Sequence, residues 1–176
     1  MRGLRTRLEV SGAHDALLSN ATFVRAVVGV KAIRGLGPRF RGIVRADAGR
    51  VFTNDLRELP PAIRFFAGGD QSVRGYRFQA LGPRDALGNI IGGRVLVAGS
   101  LEADYRIFDR WALAVFTDAG NALDDFGLDL QHAIGAGVRW LSPIGMVRVD
   151  GAFAIDRPAD VPGGDFRLHI MIGPDL

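Results

Sequence analysis

The residues of this chain with chemistry to offer are arginines and carboxylates. Its 176 residues include 21 arginines and a single lysine, Lys31, against 19 acidic residues, for a net charge of +3. There is no cysteine, which removes disulfides, thiolate zinc sites and cysteine nucleophiles. His14, His132 and His169 have no ligand-like spacing, so no metal site is expected. Gly68-Gly69 runs into Asp70 rather than Lys-Ser or Lys-Thr, so it is not a phosphate loop. Gly99-Ser100 lacks the Gly-x-Ser-x-Gly pattern of a hydrolase elbow. The arginines alternate with apolar residues and form no patch with stacked aromatics, which points away from nucleic acid. The expectation is a protein that is not an enzyme and needs no cofactor. What a guanidinium does well is grip a carboxylate through two parallel hydrogen bonds, a geometry lysine cannot match. The carboxylates, Glu102, Asp118 and Asp150 among them, sit inside alternating apolar segments and look like halves of ion pairs with such arginines.

Those segments are the elements that must position the charges. From Val95 to Ile107 the odd positions are Val, Val, Gly, Leu, Ala, Tyr and Ile, while the even ones become charged with Glu102, Asp104 and Arg106. A helix would mix these sets, whereas a strand separates them onto two faces. The same split recurs over Leu4–Val10, Val24–Ala32, Phe40–Val51, Trp111–Ala119, Ile134–Trp140, Met146–Ile155 and Phe166–Ile172. That makes about eight strands. Asp109-Arg110, Ser142-Pro143-Ile144-Gly145 and a longer stretch from Asp156 to Asp165 read as turns. The expected architecture is all-β: one antiparallel up-and-down barrel domain over residues 1–176, interrupted by a long loop at about 53–93.

Alternation alone fits a soluble ligand-binding barrel as well as a membrane barrel. Three features favour the membrane. At 7 to 13 residues the segments are about the length of the ~9–11-residue strands that cross a bilayer at a tilt. The polar face uses Arg with Asp or Glu and hardly any Lys, which suits paired charges in a confined lumen. Trp111, Trp140, Tyr105 and Phe166 sit near segment ends, where an interfacial girdle lies. No apolar run is long enough for a transmembrane helix. The first residues are basic without an apolar core behind them, so they do not read as a secretory signal.

The central stretch Phe65-Phe66-Ala67-Gly68-Gly69-Asp70-Gln71-Ser72-Val73-Arg74-Gly75-Tyr76, with Leu81-Gly82-Pro83 after it, resembles the long loop of the outer-membrane assembly and secretion barrels, the bacterial surface antigen superfamily. Within that superfamily it looks most like the barrel subunit of the translocation and assembly module. Further matches follow in the family's order. They are Phe116-Thr117-Asp118-Ala119-Gly120, Gly135-Ala136-Gly137-Val138-Arg139 with Ser142-Pro143-Ile144-Gly145, and the ending Ile172-Gly173-Pro174-Asp175-Leu176.

The resemblance implies a sixteen-stranded barrel of the bacterial outer membrane, of which this chain is the C-terminal half. It implies a loop folded back into the lumen, with Arg74 meeting an acidic group on the inner wall. Asp118 matches the family's acidic position, and Asp150 and Glu102 are inward-facing alternatives. Phe116, Gly135, Gly137 and Arg139 form the wall facing the loop. The two glycines there either leave space for the loop tip or relieve strand crowding. The implied partners are outer-membrane lipid, client outer-membrane or autotransporter proteins and a periplasm-spanning protein. The implied action is insertion or secretion through a lateral seam beside the last strand, without nucleotide. Two alternatives remain: a truncated stand-alone structural barrel, and the membrane barrel of a fusion with an upstream enzyme. An eight-stranded barrel closed on itself would be filled by its own side chains and leave no room for the loop.

Overall fold

The computed structural model describes residues 2–14, 22–125, 127, 129–143, 145–156 and 165–173. Eight strands follow one another: β1 (Arg2–Ala13), β2 (Phe23–Gly35), β3 (Phe40–Thr53), β4 (Val95–Phe108), β5 (Trp111–Leu123), β6 (Gln131–Ser142), β7 (Gly145–Ala154) and β8 (Phe166–Gly173). They form a single sheet in sequence order, each strand antiparallel to the next. The fold class read from the alternation is the one observed, although most strands run past the segments that alternate most cleanly. The turn with Ile144, most of the stretch from Asp156 to Asp165, and the ending Pro174-Asp175-Leu176 lie outside the described residues.

Register keeps the two faces separate along the whole sheet. On the inner face Arg41 stands opposite Asp104, Ser100 opposite Asp118, and Gly137 opposite Asp150. On the outer face Val44 stands opposite Leu101, and Val149 opposite Ile170. A slip of one residue would send every charge on a strand to the other face. The outer face stays bare: Leu8 is 77% exposed and Ile170 65%. A continuous apolar surface of this size is stable against hydrocarbon and not against water. No helix among the described residues is long and apolar enough to cross a membrane, which leaves the crossing to strands.

Connections differ at the two ends of the sheet. Three short connections lie at one end: residues 36–39, residues 109–110 and the step from Ser142 to Gly145. At the other end lie the longer connections, including the one from 54 to 94 between β3 and β4. Short turns on the periplasmic side and long loops outside are the usual pattern of outer-membrane barrels.

The core lies between the sheet and this connection, not between two sheets. Val27, Val51, Ala122 and Ala133 of the inner wall bury against Leu56, Leu59, Phe65, Val73, Tyr76 and Leu81 of the loop. The loop has its own framework. Phe65 bridges to Gly93 and Ala67 to Leu81. The Arg64 guanidinium donates to the carbonyls of Leu59, Ile91 and Arg57 at 2.9, 2.9 and 3.0 Å. Phe65 enters the notch left by Gly49 on β3, beneath the Arg25 guanidinium 4.6 Å from its ring centroid.

Space for the loop exists because the sheet does not close. Among the described residues β1 pairs only with β2, and β8 only with β7. The sheet still curls strongly, since Arg41 Nη2 of β3 comes within 3.9 Å of Met146 Sδ of β7. The crowding expected of a closed eight-stranded barrel therefore does not arise.

Candidate functional site

The tip of the inserted loop is a tight turn built on glycine. Gly68 and Gly69 both have φ near +100°, a region closed to most side chains. Gly69 N–H donates to the carbonyls of Val73 and Tyr76 at 3.2 and 3.1 Å, and Gly68 N–H to Ser72 Oγ at 2.7 Å. Arg45 on β3 caps the same turn through the carbonyls of Asp70 and Ser72. This turn aims Val73-Arg74-Gly75-Tyr76 at the inner wall.

Arg74 reaches the wall with every donor occupied. Nε and Nη2 grip the two oxygens of Asp118 on β5, each at 2.8 Å, and the Arg74 backbone N–H adds a third bond at 3.0 Å. Nη1 donates to Glu102 on β4 at 2.9 Å and to Asp150 on β7 at 3.1 Å. Nη2 also donates to Ser100 at 3.0 Å. A guanidinium has five N–H donors in a fixed fork, and all five are used here. The Phe116 ring covers its flat face, with the centroid 3.3 Å from Cζ. Burial works to lower the Arg74 pKa, but the hydrogen bonds and charge of Asp118, and then Glu102, raise it above its ordinary value. The cation is therefore permanent.

A second arginine completes the cluster. Arg139 on β6 is 1% exposed. It donates to Glu102 Oε1 at 2.8 Å through Nη2 and also pairs with Asp150. Glu102 and Asp150 each touch both arginines, so the four groups act as one unit joined to Asp118. Arg41 and Asp104 pair next to it, and Asp104 Oδ1 lies 4.0 Å from Arg139 Nε. Buried pairs like these add little net stability while intact, but removing one partner strands a charge.

Glycines shape the wall around the cluster. A Cβ on Gly135 would overlap the Phe116 ring opposite it in the β5–β6 register. One on Gly137 would overlap the Asp150 carboxylate. Gly75 is the matching slot on the loop: a Cβ there would lie 2.7 Å from Ala154 N and 2.8 Å from Ala133 Cβ. Tyr76, 1% exposed, donates through its hydroxyl to the His132 carbonyl at 3.4 Å. On β8, the His169 ring meets the Arg74 carbonyl at 2.6 Å.

The structure thus brings Arg74, Asp118, Glu102, Asp150, Phe116, Gly135, Gly137 and Arg139 into one locus, with Val73 and Tyr76 buried beside it. The three carboxylates are not alternatives, because Arg74 takes all of them. Sequence reasoning missed Ser100, Arg41, Asp104, Arg45 and His169 as members. The signal for them was parity, since all five sit on inward-facing positions of their strands. Parity gives the face but not the neighbour across the lumen.

Comparison with known proteins matches the Omp85 superfamily domain over residues 1–175. The outer membrane protein assembly factor BamA of Nitratidesulfovibrio vulgaris is 32% identical over 159 residues, covering 86% of this chain and 20% of that protein. A crystal structure of BamA from Haemophilus ducreyi lacking POTRA domains 1–3 superposes with a TM-score of 0.79 at 18% identity. That superposition covers 95% of this chain and 38% of the crystallised one, and it is a likeness of fold. The chain spans about one fifth of the length of the BamA relative. With a lipid-facing exterior, an arginine-tipped loop locked to the inner wall and a family match along nearly its whole length, the chain belongs to the Omp85 superfamily of the bacterial outer membrane.

Proposed function

We propose that this chain is the C-terminal half of a sixteen-stranded outer-membrane barrel that inserts or secretes client proteins. It acts as an assembly factor and not as an enzyme. Its partners are outer-membrane lipid, client outer-membrane or autotransporter proteins and a periplasm-spanning protein. No nucleotide is needed. In hydrocarbon every backbone N–H and C=O must find a partner, so the edge of β8 is itself a driving force for strand addition. A client strand pairing along that seam is rewarded by hydrogen bonds that lipid cannot offer.

The observation that carries this reading is the Arg74 clamp. A loop held by five donors across β4, β5 and β7, with its backbone against β8, braces the wall next to the open edge. The loop sets the curvature of the sheet, and the sheet edge receives the client.

The test is complementation in cells depleted of the full-length protein. Arg74→Glu should abolish client insertion, and Asp118→Arg combined with it should restore part. Full client insertion with Arg74→Ala would overturn the role of the clamp.

A further inference from the structure

The outer face of the sheet is apolar almost throughout, and its exceptions are few. Among the described residues, the outward positions of the eight strands carry no carboxylate. At the short-turn end they carry two arginines, Arg2 on β1 and Arg34 on β2, which stand directly opposite each other. Both are exposed, and neither has a hydrogen-bond or ion-pair partner among the described residues. Two residues further along each strand, Leu4 stands opposite Ala32, so parity puts the arginines on the lipid-facing side.

Like charges directly opposite on one face destabilise a strand pair. On a face that meets hydrocarbon their only relief is to reach for the interface. Aromatic side chains mark the height of that interface at this end of the sheet. Phe40 stands opposite Tyr105 on the outer face, and the Trp111 and Trp140 rings stack with centroids 5.7 Å apart. The arginines therefore lie where lipid headgroups begin. There is room beside them, because the β3 neighbour of Arg34 is Gly42, where a Cβ would meet only the Arg34 carbonyl oxygen at 3.9 Å.

We propose that Arg2 and Arg34 together hold the phosphate of an anionic phospholipid in the periplasmic leaflet, with its acyl chains lying along the apolar face of β1 and β2. A phosphate has oxygens enough for two guanidinium forks, and its charge turns two opposed cations into a bridged pair. Position selects a lipid over a dissolved anion, because both side chains leave the sheet on the side that meets hydrocarbon. The site is on β1 and β2, away from the β8 edge, so it anchors the wall and takes no part in the seam. This rests on the lipid partner proposed above and adds the charge of the lipid and the residues that select it.

The test uses the full-length protein in phosphatidylcholine vesicles containing a trace of a photo-crosslinking lipid. The probe is either phosphatidylglycerol or phosphatidylcholine, with the reactive group beside the phosphate. Cross-links to β1 and β2 should favour phosphatidylglycerol by about fivefold to thirtyfold, the range for one or two arginines at an anionic headgroup. Cross-links to β6 and β7, whose outward residues at this end are Trp140 and Val147, should show no such preference. The double variant Arg2→Gln with Arg34→Gln should abolish the preference at β1 and β2. Comparing the two lipids on the unaltered protein needs no variant to fold. Excess glycerol phosphate in solution should leave the cross-links in place, and full competition by it would overturn the lipid as the source of the phosphate. Equal labelling of β1 and β2 by both lipids, or the same preference on every strand, would overturn the anionic site and leave the lipid-facing wall standing. No cross-link to the outer face from either lipid would overturn both.

Discussion

The inner wall carries ion pairs in two settings. Beneath the loop, on β4 to β7, Asp118, Asp150, Glu102 and Arg139 are buried; Asp150, Glu102 and Arg139 each have several ionic partners, and Asp118 holds Arg74 through both oxygens. On β1 to β3, Arg7 lies 3.6 Å from Asp47 with its side chain 55% exposed, and Arg25 meets Glu9 at 2.9 Å with the glutamate 51% exposed. The residue types and the strand geometry are the same. What differs is the loop, which removes water from one set but covers only the Arg25 side of the other, through Phe65, and leaves Glu9 and Arg7 in water. Desolvation turns ordinary salt bridges into a structure whose members cannot be removed singly, whereas the open pairs remain individually dispensable.

The sharpest way to break this contrast is Arg74→Ala in the refolded full-length protein. It leaves three carboxylates facing one another without their shared cation. The expected loss is about 3–5 kcal/mol, read from denaturant unfolding in detergent. Gly137→Val should come next. Its side chain would occupy the space of the Asp150 carboxylate and push the shared acid off Arg139. A loss of about 1–3 kcal/mol is expected, and an unchanged unfolding midpoint would show that the slot is not needed. A double-mutant cycle between Arg139→Met and Glu102→Gln should give a coupling of about 1–3 kcal/mol, while the same cycle at Arg7 and Asp47 should give under about 1 kcal/mol. The smallest effect expected is that of salt. Raising ionic strength to about 1 M shortens the screening length to about 3 Å, which should erase the Arg7–Asp47 coupling and leave that of Arg139–Glu102 intact. Equal salt sensitivity of the two couplings would remove the distinction between the regions.

Legibility followed the same divide. The strands could be read because a half-buried strand has a period of two, and Val24-Arg25-Ala26 or Val147-Arg148-Val149 displays it openly. The lipid-facing set needed no tertiary knowledge. The cluster was only partly readable. Val73-Arg74-Gly75-Tyr76 marked the cation and the ordered motifs marked Asp118, but their meeting depends on a loop folding back over 44 residues of sequence. Arg139 is the hardest case. It stands directly opposite Arg148 in the β6–β7 register, a pairing that pairwise rules count as repulsive. Glu102, two strands away, and Asp150 supply the compensation, and nothing local to Arg139 announces Glu102.

By itself, then, the sequence determined the strands and the two faces of each strand, because these follow from alternation within a single segment, while segment length, the Arg-carboxylate polar face and the aromatics near segment ends pointed the apolar face to lipid. Only the tertiary structure decided how the loop packs on the concave side, which wall residues it meets and that one arginine takes three carboxylates. Those outcomes depend on curvature and on the exclusion of water between segments distant in the chain, and neither is a property of any single strand.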